Sequence, residues 1–161
     1  MAKLITIEGP GGSGKTTLGE RLARVNNYSF YDLDNYIDKG TPWYSGDLED
    51  AYNFIREDLR QGRNVVVPYW SFKSKNVEEF FPRLKGLEQE LNIERVPIMI
   101  VSSLQQCIDG DNRREKNLGE DHITKVWNMT YQGLTPEHVL VSNRNYDALN
   151  RVNRYLKRVY N

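Results

Sequence analysis

The sequence predicts one α/β domain in three layers: a five-stranded parallel sheet with helices on both faces. Short apolar, β-branched runs alternate with segments of helical spacing along all 161 residues. No internal repeat or low-complexity tract interrupts this alternation, and the length suits a single domain. Because parallel strands need crossover connections, usually helices, the alternation favours a parallel sheet.

Five runs are predicted as strands and six segments as helices. In chain order the strands are residues 4–8, 28–33, 64–67, 96–101 and 139–142. The helices are residues 16–25, 48–60, 76–92, 104–116, 121–131 and 147–160. Pro82 is expected to break or kink the third helix, and Gly110 to interrupt the fourth. Ligands of such sheets bind at the carboxyl ends of the strands, so residues that follow strands are the candidates for function.

The composition is that of a globular protein without a strong overall charge. It is 39% hydrophobic and 27% charged, and 22 Lys and Arg balance 22 Asp and Glu. Zero net charge argues against a protein that coats nucleic acid by bulk attraction. The sequence suggests no membrane helix and no signal peptide, and the single Cys107 cannot form an internal disulfide. We therefore expect a cytoplasmic protein (in the host cytoplasm if it is viral) with no membrane partner.

A glycine-rich loop follows the first predicted strand and precedes the first helix. Residues 9–16, GPGGSGKT, match the phosphate-loop pattern G-x-x-x-x-G-K-[ST]. Its glycines let backbone N–H groups turn toward phosphate oxygens, and the following helix adds the positive end of its dipole. Lys15 should reach the β- and γ-phosphates, and Thr16 should ligate Mg²⁺. The predicted nucleotide-binding residues are Gly9, Gly11, Gly12, Ser13, Gly14, Lys15, Thr16 and Thr17.

The phosphate loop by itself is shared by kinases, switch GTPases and motor ATPases. Little chain is left for a further domain, and the sequence has neither an N-K-x-D-like guanine signature nor an apolar strand ending in Asp-Glu. A small kinase that uses ATP and Mg²⁺ is therefore the leading prediction.

The chain resembles the nucleoside and nucleotide kinase-like group of P-loop proteins. Residues 4–17, LITIEGPGGSGKTT, are similar to the opening of thymidylate kinases, and residues 30–40, FYDLDNYIDKG, to the second strand of shikimate kinases. Residues 107–131, CIDGDNRREKNLGEDHITKVWNMTY, resemble the lid of polynucleotide-kinase-like proteins. The resemblance implies a single P-loop kinase domain over residues 1–161, with a lid around residues 108–120. Viral hydroxymethyluracil-DNA kinases, which resemble thymidylate kinases, are one candidate class.

The resemblance also implies roles for two acids and two arginines. In shikimate kinases the first acid of the D-x-D pair helps to hold Mg²⁺ and the second faces the acceptor hydroxyl, which assigns Asp32 to the metal and Asp34 to general base and substrate binding. Arg113 and Arg114 match lid arginines that reach the γ-phosphate. A polar turn capped by Asp and a solvated charged helix face are the respective structural alternatives.

Two further segments follow strands. Tyr69, Trp70 and Lys73 interleave aromatic and basic side chains, so they are predicted to bind the acceptor by stacking on a base and contacting phosphate. Asn143 and Arg144 follow the fifth strand, where the nucleotide base is expected. A loop packed on the core and a plain turn are the alternatives.

These residues predict that the acceptor is a hydroxyl on a nucleoside, a nucleotide or a nucleic acid, with a modified base in DNA among the candidates. The first alternative is a small-metabolite kinase resembling shikimate or gluconate kinases, for which Arg56 is a candidate contact to a substrate carboxylate. The second alternative is a non-enzymatic, nucleotide-dependent switch.

Overall fold

Strands and helices alternate to build a five-stranded parallel sheet. The computed structural model describes residues 1–36, 46–69, 75–132, 134–142 and 147–159. Its strands are β1 (Lys3–Glu8), β2 (Ser29–Phe30), β3 (Val65–Tyr69), β4 (Glu94–Val101) and β5 (Val139–Ser142). They pair in the order β2-β3-β1-β4-β5, and every neighbouring pair is parallel. The predicted fold class is confirmed.

The connecting helices lie close to the predicted ranges. They are α1 (Lys15–Asn26), α2 (Gly46–Arg60), α3 (Lys75–Leu91), α4 (Leu104–Asn112), α5 (Glu120–Gln132) and α6 (Ala148–Val159), and a 3₁₀ turn (Leu33–Tyr36) follows β2. Within the ranges that the structure describes, no helix has the length and apolar character needed to cross a membrane.

The two faces of the sheet carry separate cores, because successive residues of a strand point to opposite sides. Leu4 of β1 packs in a core that includes α2 and α3, whereas Ile5 and Ile7 pack in a core that includes α1 and α6. All three side chains are fully buried. Burial of such an aliphatic side chain contributes roughly 1.5–3 kcal/mol, so the alternation in β1 fixes the order of the three layers.

The second strand is shorter than predicted. β2 ends at Phe30, because the chain turns after Asp32 instead of continuing to Leu33. The Asp32 Oδ1 atom accepts the N–H of Asp34 at 3.1 Å, and the Asp32 carbonyl accepts the N–H of Asn35 at 3.1 Å. A side chain that bonds to nearby backbone in this way competes with strand pairing.

Pro82 does not break its helix and Gly110 does not interrupt its own, so the expected break and the expected interruption were wrong. α3 runs through Pro82, and Phe80, Leu84 and Leu87 are buried on either side of it. Their burial outweighs the hydrogen bond that proline removes. α4 runs through Gly110, where the missing side chain serves a close contact described below.

Candidate active site

The loop between β1 and α1 has the backbone shape of a phosphate site. Gly12 and Gly14 adopt left-handed backbone angles, with φ of 74° and 87°. Gly14 caps α1, so the first N–H groups of that helix open toward the loop. The Lys15 Nζ atom donates a hydrogen bond to the Pro10 carbonyl oxygen at 2.9 Å. The ammonium group therefore folds back along the loop.

A cavity of about 580 Å³ opens beside this loop. Its lining joins the phosphate loop to the end of β4, to α4 and to the residues that follow α4: Gly12, Ser13, Gly14, Thr17, Ser102, Gln106, Asp109, Gly110, Arg113 and Arg114. The volume lies within the roughly 300–1,000 Å³ of small-molecule sites. The structure thus brings the two predicted lid arginines to the same cavity as the phosphate loop.

α4, which lines the cavity, and the neighbouring α5 are both attached to the end of β4 by hydrogen bonds. Ser103 and Gln106 form a capping box, in which the Ser103 Oγ atom accepts the Gln106 N–H and the Gln106 Oε1 atom accepts the Ser103 N–H. This pair starts α4. The Trp127 indole N–H donates to the Ser102 carbonyl oxygen, and the Tyr131 hydroxyl accepts the Ser102 N–H, both at 2.8 Å. α4 and α5 are therefore anchored to the carboxyl edge of the sheet.

Lys15 is half-buried, and its charge is sensitive to three predicted site residues. Burial lowers the pKa of Lys15 from 10.5 to about 8, while Asp34 and Asp32 oppose this lowering and Arg114 adds to it. The charges of both acids of the D-x-D pair and of one lid arginine therefore act on Lys15.

The affinity for ATP should fall as the pH rises above about 8. Phosphate binding favours charged Lys15, and the empty site loses that charge as the pH passes the lowered pKa. ATP binding can be measured by calorimetry from about pH 7 to about pH 9.5, where the empty-site lysine would be mostly neutral. In a Lys15→Arg variant the guanidinium stays charged, so the decline should flatten. An unchanged wild-type affinity across this range would contradict the assignment of Lys15.

The first acid of the D-x-D pair caps a turn, and the functional roles predicted for the pair stay predictions. Asp32 caps the 3₁₀ turn through its Oδ1 atom, as the structural alternative proposed, and Asp34 is exposed. The preceding residue anchors this segment, because the Tyr31 hydroxyl donates to the Asp58 Oδ2 atom at 2.8 Å and its N–H bonds to the Val66 carbonyl at 3.0 Å. The turn that Asp32 caps therefore sets the position of Asp34 just beyond the end of β2.

The donor set fits Mg²⁺ carried by a nucleotide. Among residues in the described ranges, no group of three or more His, Cys, Asp or Glu side chains could hold a metal. Mg²⁺ is often bound by one or two protein oxygens together with phosphate oxygens and water. The Thr16 hydroxyl, in the first turn of α1, and the Asp32 carboxylate would be those oxygens.

Two glycines bring α4 against the phosphate loop, and the sequence analysis did not assign this role. A Cβ atom on Gly12 would lie 2.0 Å from the Cys107 carbonyl oxygen, and one on Gly110 would lie 2.2 Å from the Gly12 carbonyl oxygen. Glycine inside a helix costs roughly 1 kcal/mol relative to alanine, so Gly110 was a signal of such a contact. Cys107, whose carbonyl makes this contact, is fully buried.

A buried ionisable pair includes Glu8, the last residue of β1 before the phosphate loop. The His138 Nε2 atom is 3.0 Å from the Glu8 Oε2 atom, and both side chains are over nine-tenths buried. The hydrogen bond to Glu8 raises the pKa of His138. This pair joins the end of β1 to the segment before β5, which gives His138 a structural role.

Several predicted acceptor and base contacts are not described structurally. They are Trp70, Lys73, Asn143 and Arg144, which lie outside the described residues. Tyr69 is the last residue of β3 and pairs in register with Glu8, so its backbone lies beside the start of the phosphate loop. Arg56, the candidate for a substrate carboxylate, donates instead to Glu90 of α3.

Comparison with known proteins favours metabolite kinases. The family model of shikimate kinase matches residues 11–44, which contain most of the phosphate loop and the D-x-D pair. A protein from Xenopus tropicalis described as a probable gluconokinase is 32% identical over 76 residues, 40% of each chain. A shikimate kinase from Nitrosococcus oceani is 51% identical over 37 residues, 23% of this chain and 20% of that protein. These matches span less than half of the curated relatives.

A solved structure matches nearly the whole chain. A sugar kinase from Janibacter superposes with a TM-score of 0.70 at 14% identity, covering 98% of this chain and 95% of that one. At this identity the likeness shows the fold. The suggested relation to viral hydroxymethyluracil-DNA kinases receives no support from these matches. The chain has the α/β fold of P-loop kinases, and the comparisons support the predicted enzyme class, a P-loop kinase.

Proposed function

We propose that the protein is an ATP-dependent kinase that phosphorylates a hydroxyl group of a small polyhydroxylated metabolite. The observation that carries the proposal is the cavity that Arg113 and Arg114 share with the phosphate loop, and the charge of Asp34 also acts on Lys15 of that loop. A general base and cations that offset phosphate charge are the protein groups that transfer of a γ-phosphoryl group uses.

In this proposal the acceptor hydroxyl attacks the γ-phosphorus while the bond to the β–γ bridging oxygen breaks, and ADP leaves. Asp34 takes the proton of the hydroxyl. Lys15 and the N-terminus of α1 hold the β- and γ-phosphates, and Arg113 and Arg114 offset charge on the transferred group. Mg²⁺, when bound with the nucleotide, neutralises phosphate charge.

The small-metabolite class is favoured over nucleic acid by the relatives, which are named as kinases of gluconate and shikimate. Arginines of α2 and α3 in the described ranges are paired with carboxylates: Arg56 with Glu90, and Arg83 with Glu49 at 2.6 and 2.8 Å. These pairs join the two helices. The proposal therefore assigns neither arginine to a substrate carboxylate, and Asp34 contacts a hydroxyl group of the acceptor.

The test is a transfer assay with γ-labelled ATP and a panel of acceptors. The panel contains gluconate, shikimate, neutral sugars, nucleosides, nucleotides, DNA and RNA, and the expected result is label on a small metabolite. Asp34→Asn should lower kcat by about 10²- to 10⁴-fold, because the amide cannot accept the proton, and should leave ATP affinity nearly unchanged.

Glu57→Gln is the matched control, since Glu57 is exposed on α2 and bonds to Gln61 of the same segment. It should retain the wild-type rate. Label on a nucleoside or DNA would return the acceptor to the nucleic-acid class, and label only in free phosphate would favour the switch. An unchanged kcat in Asp34→Asn would reject Asp34 as the base.

A further inference from the structure

The connection between α4 and α5, residues 113–119, is held at both ends by one residue, Asp111, whose side chain is buried. We refer to this segment as the lid loop. Asp111, in the last turn of α4, is 1% exposed. Its Oδ2 atom accepts the N–H of Leu118 at 2.8 Å and the N–H of Gly119 at 3.1 Å. The Asp111 carbonyl accepts the N–H of Arg114 at 3.0 Å, at the start of the same loop.

The other oxygen of Asp111 faces Arg114. The Arg114 Nη1 atom lies 3.8 Å from Asp111 Oδ1, and within the described part of the chain Oδ1 accepts no hydrogen bond. A buried carboxylate is costly unless a cation or donors offset it, and Arg114 is the cation beside it. The Arg114 side chain is 47% exposed and lines the phosphate cavity.

We propose that Asp111 is a positioning residue, which tethers the lid loop and holds Arg114 beside the phosphate loop without saturating its guanidinium. The distance of 3.8 Å exceeds that of a hydrogen bond, so the contact with Asp111 occupies none of the five N–H donors of Arg114. Asp111 would thus orient the Arg114 guanidinium, in the way that a carboxylate bonded to a metal-ligating histidine orients the imidazole ring. This proposal rests on the proposed function for the chemistry, and on the tether for the geometry.

The tether also sets where α5 begins. Gly119 has a left-handed φ of 88°, and its carbonyl accepts the N–H of Ile123 in the first turn of α5. Ile123 in turn lies under the phosphate loop, since a Cβ atom on Gly11 would meet its Cδ1 atom at 2.8 Å. Asp111 therefore links the lid loop, α5 and the phosphate loop.

A double-mutant cycle tests the proposal. Asp111→Asn keeps a carbonyl oxygen for the two loop N–H groups but removes the charge that faces Arg114, and we expect kcat to fall about tenfold with little change in KM for ATP. Asp111→Ala removes the tether as well, and kcat should fall about 100-fold. In an Arg114→Ala background, Asp111→Asn should have no further effect on kcat.

A merely structural role predicts the opposite result in the cycle. If Asp111→Asn lowers kcat equally with and without the Arg114 side chain, the positioning role is overturned. Glu88→Gln is the control, because Glu88 pairs with Arg95 at the amino end of β4, whereas the phosphate loop lies at the carboxyl ends of the strands. It should leave kcat unchanged.

Amide hydrogen exchange reads the tether independently of activity. The amides of Leu118 and Gly119 should be protected in the wild type and in Asp111→Asn, and should exchange rapidly in Asp111→Ala. If the wild type transfers phosphate neither to an acceptor nor to water, the proposed function fails, but the exchange experiment still tests whether Asp111 tethers the lid loop. Rapid exchange of both amides in the wild type would show that it does not.

Discussion

Replacing Lys15 by methionine should abolish phosphoryl transfer and leave the protein at least as stable as the wild type. The loss of the ammonium group should lower kcat/KM by at least about 10²- to 10³-fold, the cost of removing one donor to developing charge. Stability should rise at neutral pH, because burial lowers the pKa of Lys15 to about 8 and so penalises its charged form in the folded state. Steady-state kinetics and denaturant unfolding measure the two effects.

The gain in the free energy of unfolding should depend on pH. The unfolded chain holds the proton up to the ordinary pKa of 10.5, so the penalty is complete below about pH 8 and disappears as the pH approaches 10.5. At pH 7 the gain should be about 1–3 kcal/mol. Lys85→Met, at an exposed position on α3, should change neither quantity. A Lys15→Met protein that still transfers phosphate would refute the phosphate-loop assignment.

Replacing Gly12 by alanine should cost far more stability than the same change at Gly62, although both glycines have the same backbone conformation. Their φ angles are 74° and 78°. The left-handed conformation costs alanine about 1–2 kcal/mol at either position. At Gly12 the new Cβ also meets the Cys107 carbonyl oxygen at 2.0 Å, whereas at Gly62 nothing lies within 4 Å.

The additional cost at Gly12 should be about 1–3 kcal/mol, because α4 and the phosphate loop must separate to admit a methyl group. The same separation should weaken ATP binding, while Gly62→Ala should bind ATP as the wild type does. Denaturant unfolding and ATP titration of the two variants give the comparison. Equal losses of stability at both positions would show that α4 does not press on the loop.

The features that the sequence predicted well are local. The phosphate loop is a contiguous motif, and the alternation of Leu4, Ile5 and Ile7 reports directly which residues lie on each face of the sheet. The D-x-D turn was found by position, and the structure gives Asp32 the capping role that was the structural alternative.

The features that it predicted poorly depend on contacts between distant residues. Pro82 was expected to break α3 because proline removes a hydrogen bond, but the burial of Phe80 and Leu84 is decided by the tertiary core. In the sequence, Asp111 is one acid among charged neighbours, a pattern that indicates an exposed position. Only the packing of α4 against the lid loop shows that its side chain is buried.

Lys15 should also be a nucleophile at neutral pH. With a pKa of about 8, about a tenth of its side chains would be uncharged amine at pH 7, against about one in 3,000 for a lysine at 10.5. An uncharged amine can be acylated, and an electrophile of nucleotide shape would find it beside the phosphate loop. A bound triphosphate would restore the proton and suppress the reaction. The burial that tunes this cation for phosphate thus leaves the empty loop open to covalent inhibitors.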